Sequence, residues 1–271
     1  MHRLLQGLCH LILLLGLAAM PVQAQTAADP RDTVVLVGDD WCPYNCRLDD
    51  ARPGFLVDVA ERTLRAGHRI DYQVTSWARA QRLVREHQAD VLLGVTTTEA
   101  EGLTLSLPVA VDVTCFFVRA DQAWEYTGPA SLEHLRLGVI QDYDYDGGGP
   151  LDQLIQRRLR IHDKTLDIAH GPNATLSNFR KLLLGRMDVA LESRFVGLYA
   201  LGKLNMQQQI KTAGCNASYI GTIHYGTDPG NAKGMQILEA LNQAISSMLK
   251  SGELQALARS YGVDIGIHPP R

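Results

Sequence analysis

Three short segments between residues 33 and 95 read as β-strands: TVVLVG at 33–38, IDYQVT at 70–75 and DVLLGV at 90–95. The first and third are short apolar runs typical of buried strands, and the second alternates apolar and polar residues. Two sets of apolar residues between the strands recur at helical spacing, Phe55, Leu56, Val59, Ala60 and Leu64, then Ala80, Leu83 and Val84. This strand–helix–strand–helix–strand order predicts an α/β fold with a parallel sheet covered by helices.

A second unit of the same kind follows. RLGVIQ at 136–141 predicts a strand, residues 176–184 predict a helix that ends at Gly185, and 187–191 predict the next strand. VTCFFV at 113–118 is long enough to pass from one unit to the other, and the C-terminal residues return to helical spacing. We therefore expect two lobes joined by hinge strands. Lobe 1 comprises residues 25–117 and the returning segment 222–271, and lobe 2 comprises residues 118–221.

The N-terminus has the three-part pattern of a secretory signal. A short basic start precedes a largely apolar stretch from Leu8 to Met20, and Val22-Gln23-Ala24 offers a cleavage site. The apolar run is shorter than the ~18 residues that a membrane-spanning helix needs. We expect residues 1–24 to be a signal peptide that is cleaved near Ala24, and the protein to be periplasmic.

The charge balance excludes some classes of partner. The chain has 26 Lys and Arg against 29 Asp and Glu, a net charge of -3. A nucleic-acid-binding protein would show a basic excess or a basic run, so we expect no nucleic-acid partner.

Four cysteines follow the predicted signal: Cys42, Cys46, Cys115 and Cys215. An even number in an oxidising compartment favours disulfides. The Cys42–Cys46 spacing also suits a metal, but a structural zinc site usually needs four ligands, and no neighbouring histidine supplies them. We favour disulfides and predict no metal site.

Six short phrases, spread in order over nearly the whole chain after residue 24, carry a resemblance to a known family. They are WCPY at 41–44, GFLVDV at 54–59, DVLLGVT at 90–96, GVIQ at 138–141, GRMDVA at 185–190 and LKSGEL at 249–254. In this order the chain resembles the family 3 solute-binding proteins, the polar-amino-acid type that serves ABC importers.

The resemblance implies a two-lobed periplasmic-binding-protein fold whose cleft closes by a hinge on one small polar solute. It further implies a membrane permease as partner, a monomer, no cofactor and no catalytic residues. Two alternatives stay open: a periplasmic enzyme on the same fold, such as a dehydratase, and a soluble sensor input for a membrane receptor.

The resemblance also directs attention to two polar positions. In amino-acid binders of this family, an arginine shortly after the first-lobe threonine pairs with the ligand carboxylate, and an aspartate after the GRxD strand holds the amino group. Here Thr96 is followed by Glu101 at the place of the arginine, and Ser193 stands at the place of the aspartate, beside Glu192. We therefore expect common α-amino acids to bind weakly.

Other ligand-binding candidates lie in loops after the predicted strands, where α/β proteins bind ligands. They are the aromatic residues Trp41, Tyr44 and Trp77, which alternatively fill the core, the guanidinium of Arg79, and the pair Asp142 and Tyr143. The acidic residues around Asp142 would attract a cationic solute or form a solvated surface.

For the disulfides, the pairing we rank first of the three possible is Cys42–Cys46 and Cys115–Cys215. The first closes a small ring in the Trp41 loop. The second joins the strands that we expect to leave and re-enter the first lobe.

Overall fold

The computed structural model describes residues 32–266. The predicted signal peptide and its cleavage site lie outside these residues. No helix in this part of the chain is long and apolar enough to cross a membrane.

The chain forms two mixed α/β lobes. The first lobe begins with β1 (Thr33–Gly38), α1 (Phe55–Leu64), β2 (Arg69–Val74), α2 (Trp77–Arg85), β3 (Val91–Val95), β4 (Thr104–Leu105) and β5 (Ala110–Asp112). The second contains β6 (Thr114–Arg119), β7 (Leu137–Ile140), α3 (Pro150–Arg160), β8 (Leu166–Ala169), α4 (Ala174–Leu183), β9 (Val189–Ser193), α5 (Arg194–Lys203) and β10 (Ile210–Cys215). The chain then returns to the first lobe with β11 (Gly221–Thr227), α6 (Ala232–Ser251) and α7 (Glu253–Ser260).

Each lobe has its own sheet. The first has the order β2-β1-β3-β11-β4, with β5 also paired to β11, and the second has the order β10-β6-β9-β7-β8. In both sheets three neighbouring strands are parallel and the strands that cross between lobes add antiparallel pairs. β6, which includes residues 114–117, lies in the second sheet, and the lobe boundary between residues 117 and 118 stays a prediction.

The helices on the first sheet bury its apolar side. α1, α6 and α7 contribute Phe55, Leu238, Leu241 and Leu254 to one core cluster with β1 and β3. α6 begins where the Asn231 side chain accepts a hydrogen bond from the N–H of Gly234 (3.0 Å), and it ends at Gly252 in a left-handed conformation. These caps satisfy backbone groups that the helix itself leaves free.

Both predicted disulfides are present. Cys42–Cys46 closes the loop after β1, and Cys115–Cys215 joins β6 to β10 at the end of the second sheet nearest the hinge. Both bridges therefore lie close to the segments that connect or face the two lobes.

Candidate functional site

A cavity of about 30 Å³ lies between the lobes. Segments that end or follow strands of both sheets supply its walls, as is usual for ligand sites in α/β proteins. The lining residues are Asp39, Trp41, Trp77, Gly94, Thr96, Glu99, Asp112, Thr114, Tyr143, Asp144, Tyr145, Glu192 and Ser193.

The charge of this cavity is one-sided. Five of its lining residues are acidic, Asp39, Glu99, Asp112, Asp144 and Glu192, and no arginine or lysine of the described residues lines it. An anionic solute would meet repulsion from these carboxylates, whereas a cation would find several partners.

Burial makes these carboxyl groups hard to ionise. Desolvation raises the pKa of Glu99 and Glu192 to about 8, and that of Asp39 and Asp112 to about 6. Hydrogen bonds to the charged form oppose the shift without cancelling it. At neutral pH the two glutamates of the free protein therefore carry protons.

Hydrogen bonds fix the glutamates in place. Glu192 accepts from the Thr175 hydroxyl (2.5 Å) and from the N–H of Ser193 (2.8 Å). Glu99 accepts from the hydroxyl and the N–H of Thr96 (2.8 and 3.3 Å), which folds its side chain back over the turn after β3. The two carboxyl groups thus line the cavity from the turn after β3 and from strand β9.

Polar contacts hold the two lobes together around the cavity. The Tyr143 hydroxyl of the second lobe donates to the Asp39 carboxylate of the first. The Ser193 hydroxyl, at the end of β9, donates to Asp112 on β5 (2.5 Å). Lys203 on α5 pairs with Asp50 in the loop before α1. The lobes are therefore in a closed arrangement in this structure.

Two tryptophans complete the walls. Trp41 and Trp77 are 7% and 6% exposed, and neither indole Nε1–H has a hydrogen-bond partner among the described residues. Trp41 stacks on Tyr44 at 4.6 Å and covers Gly94, where a Cβ atom would lie 3.3 Å from its ring. Gly94 therefore leaves room for the indole beside the cavity.

The small disulfide supports the position of Trp41. The N–H of Trp41 donates to the carbonyl of Asn45 (2.9 Å), the N–H of Asn45 donates back (3.2 Å), and Cys42–Cys46 closes the same turn. Tyr44 points away from the cavity, is fully buried, and its hydroxyl donates to the carbonyl of Val111 (3.4 Å).

Comparison with known proteins identifies the fold family. Residues 33–264 match the bacterial extracellular solute-binding proteins, family 3. The chain belongs to this family. No curated protein matches the chain significantly in sequence.

Solved structures share the fold of this family 3 protein at low identity. A histidine kinase sensor domain with similarity to periplasmic binding proteins superposes with a TM-score of 0.71, 18% identity, and coverage of 89% of this chain and 99% of that chain. The arginine-, lysine-, histidine-binding protein of Geobacillus stearothermophilus superposes with a TM-score of 0.68 and 14% identity, and the match covers 86% of this chain and 96% of that chain. An ancestral amino-acid-binding protein, a precursor of cyclohexadienyl dehydratase, superposes with a TM-score of 0.64 and 16% identity, and the match covers 84% of this chain and 94% of that chain.

A second cavity of about 40 Å³ adjoins the first within this family 3 fold. It shares Asp39, Trp77 and Tyr143 with the first cavity and adds Asp40 and Asp142 as acidic residues. The remaining lining residues are Ser76, Ala78, Ile140, Gln141, Ala169, Gly171, Pro172, Ala174 and Thr175.

The structure distributes the ten candidate ligand-binding residues unevenly. Trp41, Trp77, Thr96, Tyr143, Glu192 and Ser193 line the first cavity, and Asp142 lines the second. Tyr44 lies in the core behind Trp41. Arg79 and Glu101 are exposed and line neither cavity. Direct contact of these residues with a ligand stays a prediction.

Sequence reasoning did not single out several cavity residues, among them Asp39, Glu99 and Asp112. Asp39 directly follows the first predicted strand, so its position was a usable signal. Glu99 is two residues before Glu101, and the turn that brings its side chain inward depends on its hydrogen bonds to Thr96. That geometry has no pattern in the sequence.

Proposed function

We propose that this family 3 protein captures a small organic cation, an amine, between its lobes and presents it to an ABC importer. Family membership supports the binding role, and members of the family serve such importers. The observation that carries the choice of ligand is the charge of the first cavity, which is lined by five acidic residues and by no arginine or lysine from residues 32–266.

The absence of a cationic anchor argues against the usual amino-acid ligand. A bidentate arginine is the preferred partner of a carboxylate. Arg79, the candidate guanidinium, is exposed outside both cavities. A ligand α-carboxylate would instead approach Asp39 or Asp112, so its binding would cost desolvation without a compensating pair.

An ammonium group fits the same site. Each charge-assisted hydrogen bond to a buried carboxylate contributes about 1.5–3 kcal/mol. The faces of Trp41 and Trp77 attract the polarised methylene groups next to an ammonium. When the lobes close around such a ligand, Glu99 and Glu192 would lose their protons. The positive charge of the ligand would then stabilise the two ionised carboxylates.

Three compounds of equal chain length test the charge preference: n-pentylamine, 1-pentanol and pentanoate. We expect calorimetry on the mature protein to detect the amine binding most tightly and pentanoate not at all. Glu192→Gln should weaken the amine by roughly tenfold or more, since about 1.4 kcal/mol corresponds to a factor of ten.

Glu101→Gln is the matched control, because Glu101 is exposed and lines neither cavity. It should leave the affinity unchanged. Binding of pentanoate or of an ordinary α-amino acid more tightly than the amine would contradict the proposal, and so would equal effects of the two substitutions.

A further inference from the structure

The two interlobe cavities adjoin one another and share part of their walls. Asp39, Trp77 and Tyr143 line both, and the Tyr143 hydroxyl is hydrogen-bonded to Asp39 at the junction. Thr175 lines the second cavity while its hydroxyl donates to Glu192 in the first. The shared wall thus consists of side chains, and its hydrogen bonds end on carboxylates that an ammonium group can also bind.

The second cavity is acidic in its own right. Asp40 and Asp142 line it, and neither forms an ion pair or a side-chain hydrogen bond with another residue in the range 32–266. The nearest lysine, Lys203, pairs with Asp50. Burial raises the pKa of Asp40 to about 6, partly opposed by Lys203. Apart from the partial attraction of Lys203 for Asp40, one cation in the first cavity would leave the half-buried Asp40 and the exposed Asp142 without a cationic partner.

Two further features mark the junction as a ligand site. Trp77 lines both cavities, is 6% exposed, and its Nε1–H has no partner among the described residues. Asp142 adopts a left-handed backbone with φ of 61°. Non-glycine residues in this region cost roughly 1 kcal/mol or more and cluster at ligand sites.

We propose that the ligand of this protein is a linear molecule with two cationic groups, one held in each cavity, whose linker lies beside Trp77. This inference rests on the proposed binding of an organic cation and specifies its class, α,ω-diamines and related dications. The first ammonium group would bind among Asp39, Asp112 and Glu192. The second would bind between Asp40 and the exposed Asp142, which both line the second cavity.

A matched pair of ligands separates one charge from two. We expect 1,5-diaminopentane to bind roughly tenfold to a hundredfold more tightly than n-pentylamine, since a second charge-assisted contact contributes about 1.5–3 kcal/mol. Chain length is equal, so apolar burial would favour the monoamine instead. Diamines of three to six carbons should show an optimum length, because the two acidic ends are at a set distance.

Substitutions in the second cavity give the complementary test. Asp142→Asn and Asp40→Asn should each reduce the affinity for the diamine by about tenfold and leave n-pentylamine unchanged. Glu192→Gln should weaken both compounds, and Glu101→Gln neither. Circular dichroism of each variant checks that the fold is retained.

The outcomes distinguish this inference from the proposed function. If the monoamine binds as tightly as the diamine and the aspartate variants change neither, the dication inference is wrong while the proposed binding of amines stands. If neither compound binds, the proposed function fails and the dication inference fails with it.

Discussion

The ionisation of Glu192 should link ligand binding to pH. Its side chain is 2% exposed, and burial raises its pKa to about 8 from an ordinary value of 4.5. At pH 7 the carboxyl group of the free folded protein is therefore protonated. A bound ammonium group favours the charged carboxylate, so binding should release that proton.

The size of the effect follows from proton linkage. If each binding event releases one proton from Glu192, the affinity for n-pentylamine rises by up to about tenfold per pH unit between pH 6 and 8 and levels off above pH 8. Glu99, whose pKa is also raised to about 8, should release a second proton when the ligand binds. An alkylamine, like lysine, stays charged over this range, so the ligand itself contributes no slope.

Calorimetry at pH 6, 7, 8 and 9 in two buffers of different ionisation enthalpy measures the released protons directly. Glu192→Gln should reduce the release by one proton, and the double variant Glu99→Gln with Glu192→Gln should abolish most of it. An affinity that is flat from pH 6 to 8, with no proton release by the unaltered protein, would refute the reasoning.

The same pKa shift predicts the opposite trend for the stability of the free protein. The folded state keeps the proton up to about pH 8, whereas the unfolded state releases it near 4.5. The contribution of Glu192 to the free energy of unfolding is therefore fully present below pH 4.5. It falls by up to about 1.4 kcal/mol per pH unit as the pH rises to 8. Urea denaturation of the unaltered protein and of Glu192→Gln should show stabilities that diverge over this window.

Two further predictions concern the framework of the site. The double substitution Cys115→Ser with Cys215→Ser opens a loop of 100 residues, and urea denaturation should show a loss of roughly 4–5 kcal/mol; unchanged stability would contradict a role in holding the second lobe. Gly94→Ala should weaken amine binding, because the added Cβ would lie 3.3 Å from the ring of Trp41. Gly102→Ala is the control, since Gly102 has a similar φ (76° against 81°) and no atom within 4 Å of an added Cβ. It should reduce the free energy of unfolding by a comparable amount without changing the affinity. Equal affinities of these two variants would show that Trp41 does not depend on Gly94.

The fold was largely predictable because its parallel strands and amphipathic helices have strong patterns. The segments 33–38, 70–75 and 90–95 correspond closely to β1, β2 and β3. The strands that pass between lobes were harder to predict. β10, IKTAGC, and β11, GTIHYGT, mix polar, glycine and apolar residues. Their pairing with β6 and β3 depends on residues about 100 positions away in the chain, which no local pattern records.

The disulfides were predictable for a physical reason as well. The four cysteines after the predicted signal peptide offer three pairings, and Cys42 and Cys46 are close in sequence. Cys115 and Cys215 become neighbours because β6 and β10 are antiparallel partners. The prediction that these segments leave and re-enter the first lobe was sufficient to pair them.

The ligand site depended on tertiary geometry that alignment to a family pattern does not capture. Alignment placed Glu101 where the family's carboxylate-binding arginine would lie, yet the structure leaves Glu101 exposed and turns Glu99 inward. The difference of two residues arises because Thr96 donates both its hydroxyl and its N–H to Glu99. Glu99 and Glu101 are both acidic, so the inference that the cavity repels carboxylates does not depend on which of the two lines it. The charge of the cavity is instead set jointly by Asp39, which follows β1, by Asp112 at the end of β5 and by Glu192 in β9. If the ligand is a cation held between the lobes, as we propose, ligand charge and lobe closure should favour one another.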